Sequence, residues 1–217
     1  MKLKKAIQYA LNHQAVLFLG SGFSAGTKNQ NGKQPSVGKA LAQTLTDTCG
    51  FTGENIPLET IATEYVRQNG EDKLISFLQK EYTLTGISPE HVKIMSVPYL
   101  RVYTTNYDLC AEMGYAQSHP DLPPMKSVTL RDRPEESITS PVCVHLNGSI
   151  SRLTPETLND EFRLTDHSYT ASELNGKPWM RQFVQDIQSA NAIIVVGYSM
   201  SFDLDIKRHF SSPRNTG

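Results

Sequence analysis

The chain has 217 residues, 38% hydrophobic and 20% charged, with 14 Gly and 12 Pro, which excludes disordered, collagenous and low-complexity chains. That length buries one sizeable core without disulfide or metal staples. Lys and Arg number 21 against 22 Asp and Glu, with only Lys2, Lys4 and Lys5 clustered, so the concentrated basic surface that direct nucleic-acid binding needs is absent.

Leu3, Ala6, Ile7, Ala10 and Leu11 share one face of an amphipathic helix. Ala15 to Leu19 is an unbroken apolar run that ends in Gly20-Ser21-Gly22, the pattern of a strand buried on both faces and followed by a glycine turn. Pro35-Ser36 opens a second helix, with Ser36 as its expected N-cap and Val37, Ala40, Leu41 and Leu45 on one face. The stretch from about Thr52 to Glu90 reads as a small helical insert. Ser88-Pro89-Glu90 starts a helix that stops near Pro98, and Arg101 to Thr105 reads as a strand. Residues 121–141 are rich in Pro and charge, with one short strand over Ser127 to Leu130. Val142 to His145 and Ala192 to Val196 are further strands, separated by turns, a short helical stretch and a helix over Pro178 to Ser189. Strands alternating with helices predict one α/β domain built on a parallel sheet flanked by helices.

Cys49, Cys110 and Cys143 are odd in number and far apart, so they offer neither a disulfide framework nor a C-x-x-C zinc site, and a reducing, cytoplasmic compartment fits. No apolar run is long enough to span a bilayer, and Gln8, Asn12, His13 and Gln14 interrupt any signal-peptide core. No P-loop lysine, G-x-S-x-G elbow or H-E-x-x-H motif is present.

Four polar turns follow the apolar strands: Gly20-Ser21-Gly22-Phe23-Ser24, Thr104-Thr105-Asn106-Tyr107-Asp108, His145-Leu146-Asn147-Gly148-Ser149 and Gly197-Tyr198-Ser199. Ligands of open parallel sheets bind beyond the carboxyl ends of the strands, so these turns are expected to converge on one crevice. The first turn fits the loose form G-x-G-x-x-G/A, in which glycines let a backbone approach a pyrophosphate. It lacks the acidic ribose-binding residue at the usual distance, and a plain strand-to-helix turn accounts for it equally well. Asn106 offers a carboxamide to a ribose or a water, or tolerates a left-handed turn, while Asp108 offers a helix cap. His145, at the end of a strand, is expected at the mouth of the crevice, where an imidazole suits general-base work near neutral pH.

In order and spacing, these four turns resemble the sirtuin-like family, and in particular its bacterial antiviral-defence branch. Pro35-Ser36 and the segment from Leu164 to Tyr169 look similar as well. The resemblance implies a Rossmann-like domain that takes NAD as substrate and needs no metal. It implies Gly20, Ser21, Gly22, Phe23 and Ser24 near the phosphates and Thr105, Asn106 and Asp108 near the nicotinamide ribose. Gly197 and Ser199 fall near the adenosine ribose, with Asn106 and His145 as the catalytic pair. Sirtuin deacylases carry a zinc module of two C-x-x-C pairs, and this chain has none. That departure shifts the expectation from protein deacylation to an NAD glycohydrolase that depletes NAD in antiviral defence. A non-catalytic module sensing NAD or ADP-ribose is the alternative, followed by a deacylase or ADP-ribosyltransferase and by a plain structural domain. Members of the family continue beyond the Gly-Tyr-Ser turn with further elements and commonly a sensor domain. The expectation is therefore a shortened form, a homo-oligomer, or a subunit whose partner supplies the sensor.

Overall fold

The computed structural model describes residues 2–51, 56–137, 139–165 and 176–199. The chain beyond Ser199 and the part of the Leu164 to Tyr169 segment from Asp166 onward lie outside the described residues. Five strands form the main sheet: β1 (Ala15–Leu19), β4 (Arg101–Thr104), β5 (Lys126–Thr129), β6 (Val142–His145) and β7 (Ala192–Val196). Their order is β5-β6-β4-β1-β7 and every pairing is parallel. A two-residue β2 (Lys28–Asn29) pairs antiparallel with β3 (Leu84–Gly86) outside this sheet. The α/β expectation holds, with a five-strand parallel sheet flanked by helices in the Rossmann-like manner.

β1 is an unbroken apolar run because both of its faces are covered. Val16 and Phe18 face a core with Trp179, Met180, Phe183 and Ile187 of α8 (Pro178–Ser189). Leu17 and Leu19 face Met95, Cys110, Ala111 and Tyr115, from α5 (Pro89–Met95) and α6 (Cys110–Ser118). In α1 (Leu3–Leu11), Ala6 and Ala10 pack against Ala15 and Ala192. The small side chains let this helix lie close to the sheet, while Leu3, Ile7 and Leu11 of the same expected apolar face remain exposed.

A separate cluster unites α2 (Gly38–Cys49), α3 (Leu58–Asn69) and α4 (Glu71–Tyr82) through Leu41, Leu45, Ile61, Ala62, Leu74 and Leu78, joined by Ile150, by Leu158 of the short α7 (Pro155–Leu158) and by Phe162. Here the expected start of the second helix is corrected. α2 begins at Gly38, with Val37 at the N-cap position and no capping side chain. Ser36 is held in the preceding turn by partners from α4: its N–H donates to Glu81 Oε1 at 2.6 Å, and its carbonyl accepts from Tyr82 Oη at 2.9 Å. Ser88, by contrast, does cap α5, in a reciprocal box with His91.

The buried ion pair between Arg101 Nε and Asp186 Oδ2, 2.7 Å apart, fastens α8 to β4, and Tyr103 Oη donates to the same oxygen at 2.7 Å. Removing one partner leaves a buried cation uncompensated. Asp186→Ala is therefore expected to lower unfolding free energy by about 3 kcal/mol or more in urea titrations. A loss under about 1 kcal/mol, the value of an exposed pair, goes against this reading.

Candidate active site

The chain runs from β1 to β4, β5 and β6 on one side and returns to β7 on the other, so the topological switch point falls between β1 and β7. The turns after these two strands meet there in direct backbone contact. A Cβ on Gly20 falls 2.6 Å from Tyr198 Cα and 2.7 Å from the Gly197 carbonyl oxygen, and one on Gly22 falls 2.9 Å from Gly197 Cα. Gly197 has φ +68, a left-handed backbone that only glycine adopts freely. The glycines are thus required by the approach of one turn to another. This close approach accounts for the glycines whether or not a pyrophosphate lies against the turn.

Beyond these turns opens a cavity of about 760 Å³. Ser21, Gly22, Ser24, Thr105, Asn106, Asp108, Gly197 and Ser199 line it as expected, together with Asn147. The other wall comes from Pro35 to Lys39, Leu41, Ala42, the start of α3 and Tyr82. Two expected ligand contacts are not among the lining residues. Gly20 gives its carbonyl to Asn106 and to the Phe23 N–H and its own N–H to Val196, and Phe23 is a core residue packed edge-on against the His91 ring, 5.0 Å between centroids. His91 Nδ1 accepts from the Ser88 N–H at 2.9 Å, so Nε2 carries the proton it donates to the Phe23 carbonyl at 2.6 Å. That bond pins the glycine turn to α5.

Asn106 is held by a directional chain. Asp108 accepts at both oxygens, from the Cys110 N–H at 3.0 Å and from Ser24 Oγ at 2.7 Å. Ser24 therefore donates toward Asp108 and accepts from Asn106 Nδ2 at 3.0 Å, while the same amide nitrogen donates to the Gly20 carbonyl at 3.0 Å. These partners settle which end of the carboxamide is which: Oδ1 is left without a donor. Asp108, one position before the Leu109 N-cap, thus holds the first N–H of α6 and orients Asn106 at once. Burial pushes its carboxyl above the ordinary value, against the opposing pull of the Ser24 and Cys110 bonds. Asn106 does not adopt a left-handed backbone; among the described residues other than glycine, only His13 does.

His145 is the main correction. It is 0% exposed and absent from the cavity lining, so it does not stand at the crevice mouth. It keeps the facing of Cys143, two residues before it, toward the α6 side of the sheet. Nδ1 lies 2.8 Å from the Asn106 carbonyl, which can only accept, and Nε2 lies 2.8 Å from Glu112 Oε1. Burial alone would push the imidazole down, but Glu112, the Asn106 carbonyl and Asp108 together hold its pKa above 6.5. With both nitrogens engaged, the ring has no free lone pair to take a proton from a ligand. Glu112, Cys143 and His145 bring ligand-type atoms within 4.8 Å of one another. Burial first, and the Glu112 carboxylate next, keep the Cys143 thiol protonated well above its ordinary range.

Two residues beyond His145, past the end of the strand, Asn147 reaches the cavity that His145 does not. Like Asn106, it leaves Oδ1 buried with no donor. No sequence signal marked Asn147 as more than a turn residue, nor Glu112 as a partner of His145.

Because His145 is raised above 6.5 in the folded state, its ion pair with Glu112 contributes full stability below pH 6.5, and that contribution is lost as pH rises through the folded value. Glu112→Gln is expected to cost about 2 kcal/mol at pH 6 and to flatten the alkaline decline, read by urea melts from about pH 6 to pH 9. Parallel curves for the two proteins count against the pair.

Among the described residues no helix is long and apolar enough to cross a membrane. No curated protein matches this chain. Residues 100–215 match the model of the SIR2-like domain, a span that starts just before β4 and takes in Asn106, His145, Asn147 and Gly197 while leaving the glycine turn of β1 outside. With more than half its length matched, and with the parallel sheet and oriented asparagine described above, the chain belongs to the SIR2-like domain family.

Proposed function

We propose that the chain is an NAD glycohydrolase that holds NAD in the cavity, splits the nicotinamide–ribose bond and so depletes NAD in antiviral defence. The observation that carries this reading is Asn106, a cavity-lining residue whose Oδ1 is buried, fixed in direction and without a donor from the protein. SIR2-like domains are typically NAD-consuming enzymes, which supplies the ligand class. The order of the four turns and the three unpaired cysteines, Cys49, Cys110 and Cys143, support the defence branch over zinc-bearing deacylases.

The chemistry needs little proton transfer. The C1′–N bond breaks with its electron pair going to the pyridinium nitrogen, so nicotinamide leaves neutral and an oxocarbenium-like centre remains on the ribose. Water adds at C1′, and the resulting oxonium is acidic enough to lose its proton to solvent. A protein serves such a reaction by orientation and charge. Asn106 Oδ1 accepts from a ribose hydroxyl or the attacking water, and the buried Asp108 carboxylate keeps that amide turned. His145 is a positioning residue that holds the Asn106 backbone.

One observation favours a second reading, a module that binds NAD or ADP-ribose without cleaving it: no imidazole lines the cavity among the described residues. Incubation with NAD, followed by chromatography of nicotinamide and ADP-ribose, separates the two. Release is expected, and Asn106→Ala is expected to lower it by about 10²–10³-fold with the melting temperature little changed. NAD binding without release supports the sensing module, and undiminished release from Asn106→Ala removes the assignment of that residue.

A further inference from the structure

Three donors of different kinds meet on the α6 side of the sheet. Cys143 and His145, two residues apart on β6, face the same way, and Glu112 reaches them from the first turn of α6. One sulfur, one imidazole nitrogen and one carboxylate oxygen of these residues lie within 4.8 Å of one another. Donors around a zinc ion, at about 2.0–2.3 Å from it, stand roughly 3–4 Å apart, so the three are close to the spacing of a coordination shell. Cys143 and the His145 side chain are 0% exposed, and the Glu112 side chain, 11% exposed, forms the edge of the cluster toward solvent.

Two further observations point to a cation. The Asn106 carbonyl, 2.8 Å from His145 Nδ1, accepts the proton of that nitrogen, so Nε2 is the nitrogen turned to the cluster. A backbone carbonyl on the far nitrogen is how proteins fix the tautomer and aim of a metal-ligating histidine. Glu112 Oε2 is buried with no hydrogen-bond partner, where a carboxylate oxygen normally has one. We propose that Glu112, Cys143 and His145 form a binding site for one zinc ion. A mixed set of sulfur, nitrogen and oxygen suits zinc, whereas magnesium and calcium take oxygen alone. The exchange balances in charge: Zn²⁺ replaces two protons, one from His145 Nε2 and one from the Cys143 thiol, and both leave to solvent. The ion itself then holds the sulfur as thiolate. Nε2 and Glu112 Oε1, 2.8 Å apart across the shared proton, part slightly to admit it, and Glu112 Oε2 or a water completes the tetrahedron. This site shares nothing with a module of paired C-x-x-C motifs, and it stands apart from the reading of the cavity as an NAD site. Its ligands join β6 to α6 while His145 Nδ1 keeps the Asn106 carbonyl.

The test takes the full chain, stripped with a chelator, and titrates it with Zn²⁺ by calorimetry and with Co²⁺ by absorption, beside Glu112→Gln, Cys143→Ser and Cys49→Ser. One ion per chain is expected, with a zinc-dependent rise in melting temperature and a thiolate-to-cobalt charge-transfer band in the near ultraviolet. Glu112→Gln and Cys143→Ser are expected to weaken zinc by more than about 100-fold and to lose the melting shift, and Cys143→Ser to lose the band as well. Cys49→Ser, at the half-buried cysteine outside the cluster, is expected to match the wild type. Circular dichroism of the metal-free variants reports their folding, and Glu112→Gln, at the cluster edge, carries the test should Cys143→Ser unfold. No ion bound by the wild type overturns the site, as does an ion bound equally by Glu112→Gln. Cobalt bound without a thiolate band removes Cys143 as a ligand and overturns the site as proposed.

Discussion

A carboxylate buried beneath a cavity must be given donors, and the way Asp108 receives them sets the rest of the site. One donor is the backbone of α6, which ties the carboxylate to the helix. The other is the hydroxyl of Ser24, which ties it to the turn after β1. Because that hydroxyl points at Asp108, it can only accept from Asn106, and the amide has a single orientation left. Ser24, more than eighty positions before Asn106 and Asp108, thus joins them in fixing the direction of one oxygen. The Glu112 and His145 pair acts on the same residue from beneath, gripping its backbone carbonyl. Side-chain direction and backbone position are therefore controlled by different layers.

Much of the scaffold was legible because burial on two faces writes an unbroken apolar run. β7 and α8 occur at the bounds read from sequence, Ala192–Val196 and Pro178–Ser189. The four turns were legible as the cavity floor for the same reason, since each follows such a run. What the residues could not reveal was facing and distant partners. Ser36 has the chemistry of an N-cap, yet residues of α4, forty-five and forty-six positions later, take its backbone and delay the helix to Gly38. His145 has the chemistry of a base, yet it points to the α6 side, and only knowledge of what covers that face separates it from Asn147.

The glycine turn shows the same limit in another form. Its spacing is that of a phosphate loop, and the small residues are indeed required, but by the backbone of Gly197 and Tyr198. A glycine pattern reports that something must come close and is silent on what. The identity of the neighbour is a property of strand order, which places β7 beside β1.

That strand order also bears on how the protein comes into being. β1 lies between β4 and β7, and its pairing with β7 joins Ala15 to Ala192. Contacts of such long sequence separation carry a large loop-closure cost and form late in folding. During synthesis the first strand emerges well before its partner, and one of its flanks stays open until the chain has been made through β7. The wall formed by Gly197 and Ser199 is added last. A nascent chain therefore cannot present the finished cavity, and any chemistry the cavity performs on a shared cellular metabolite begins only after the sheet has closed.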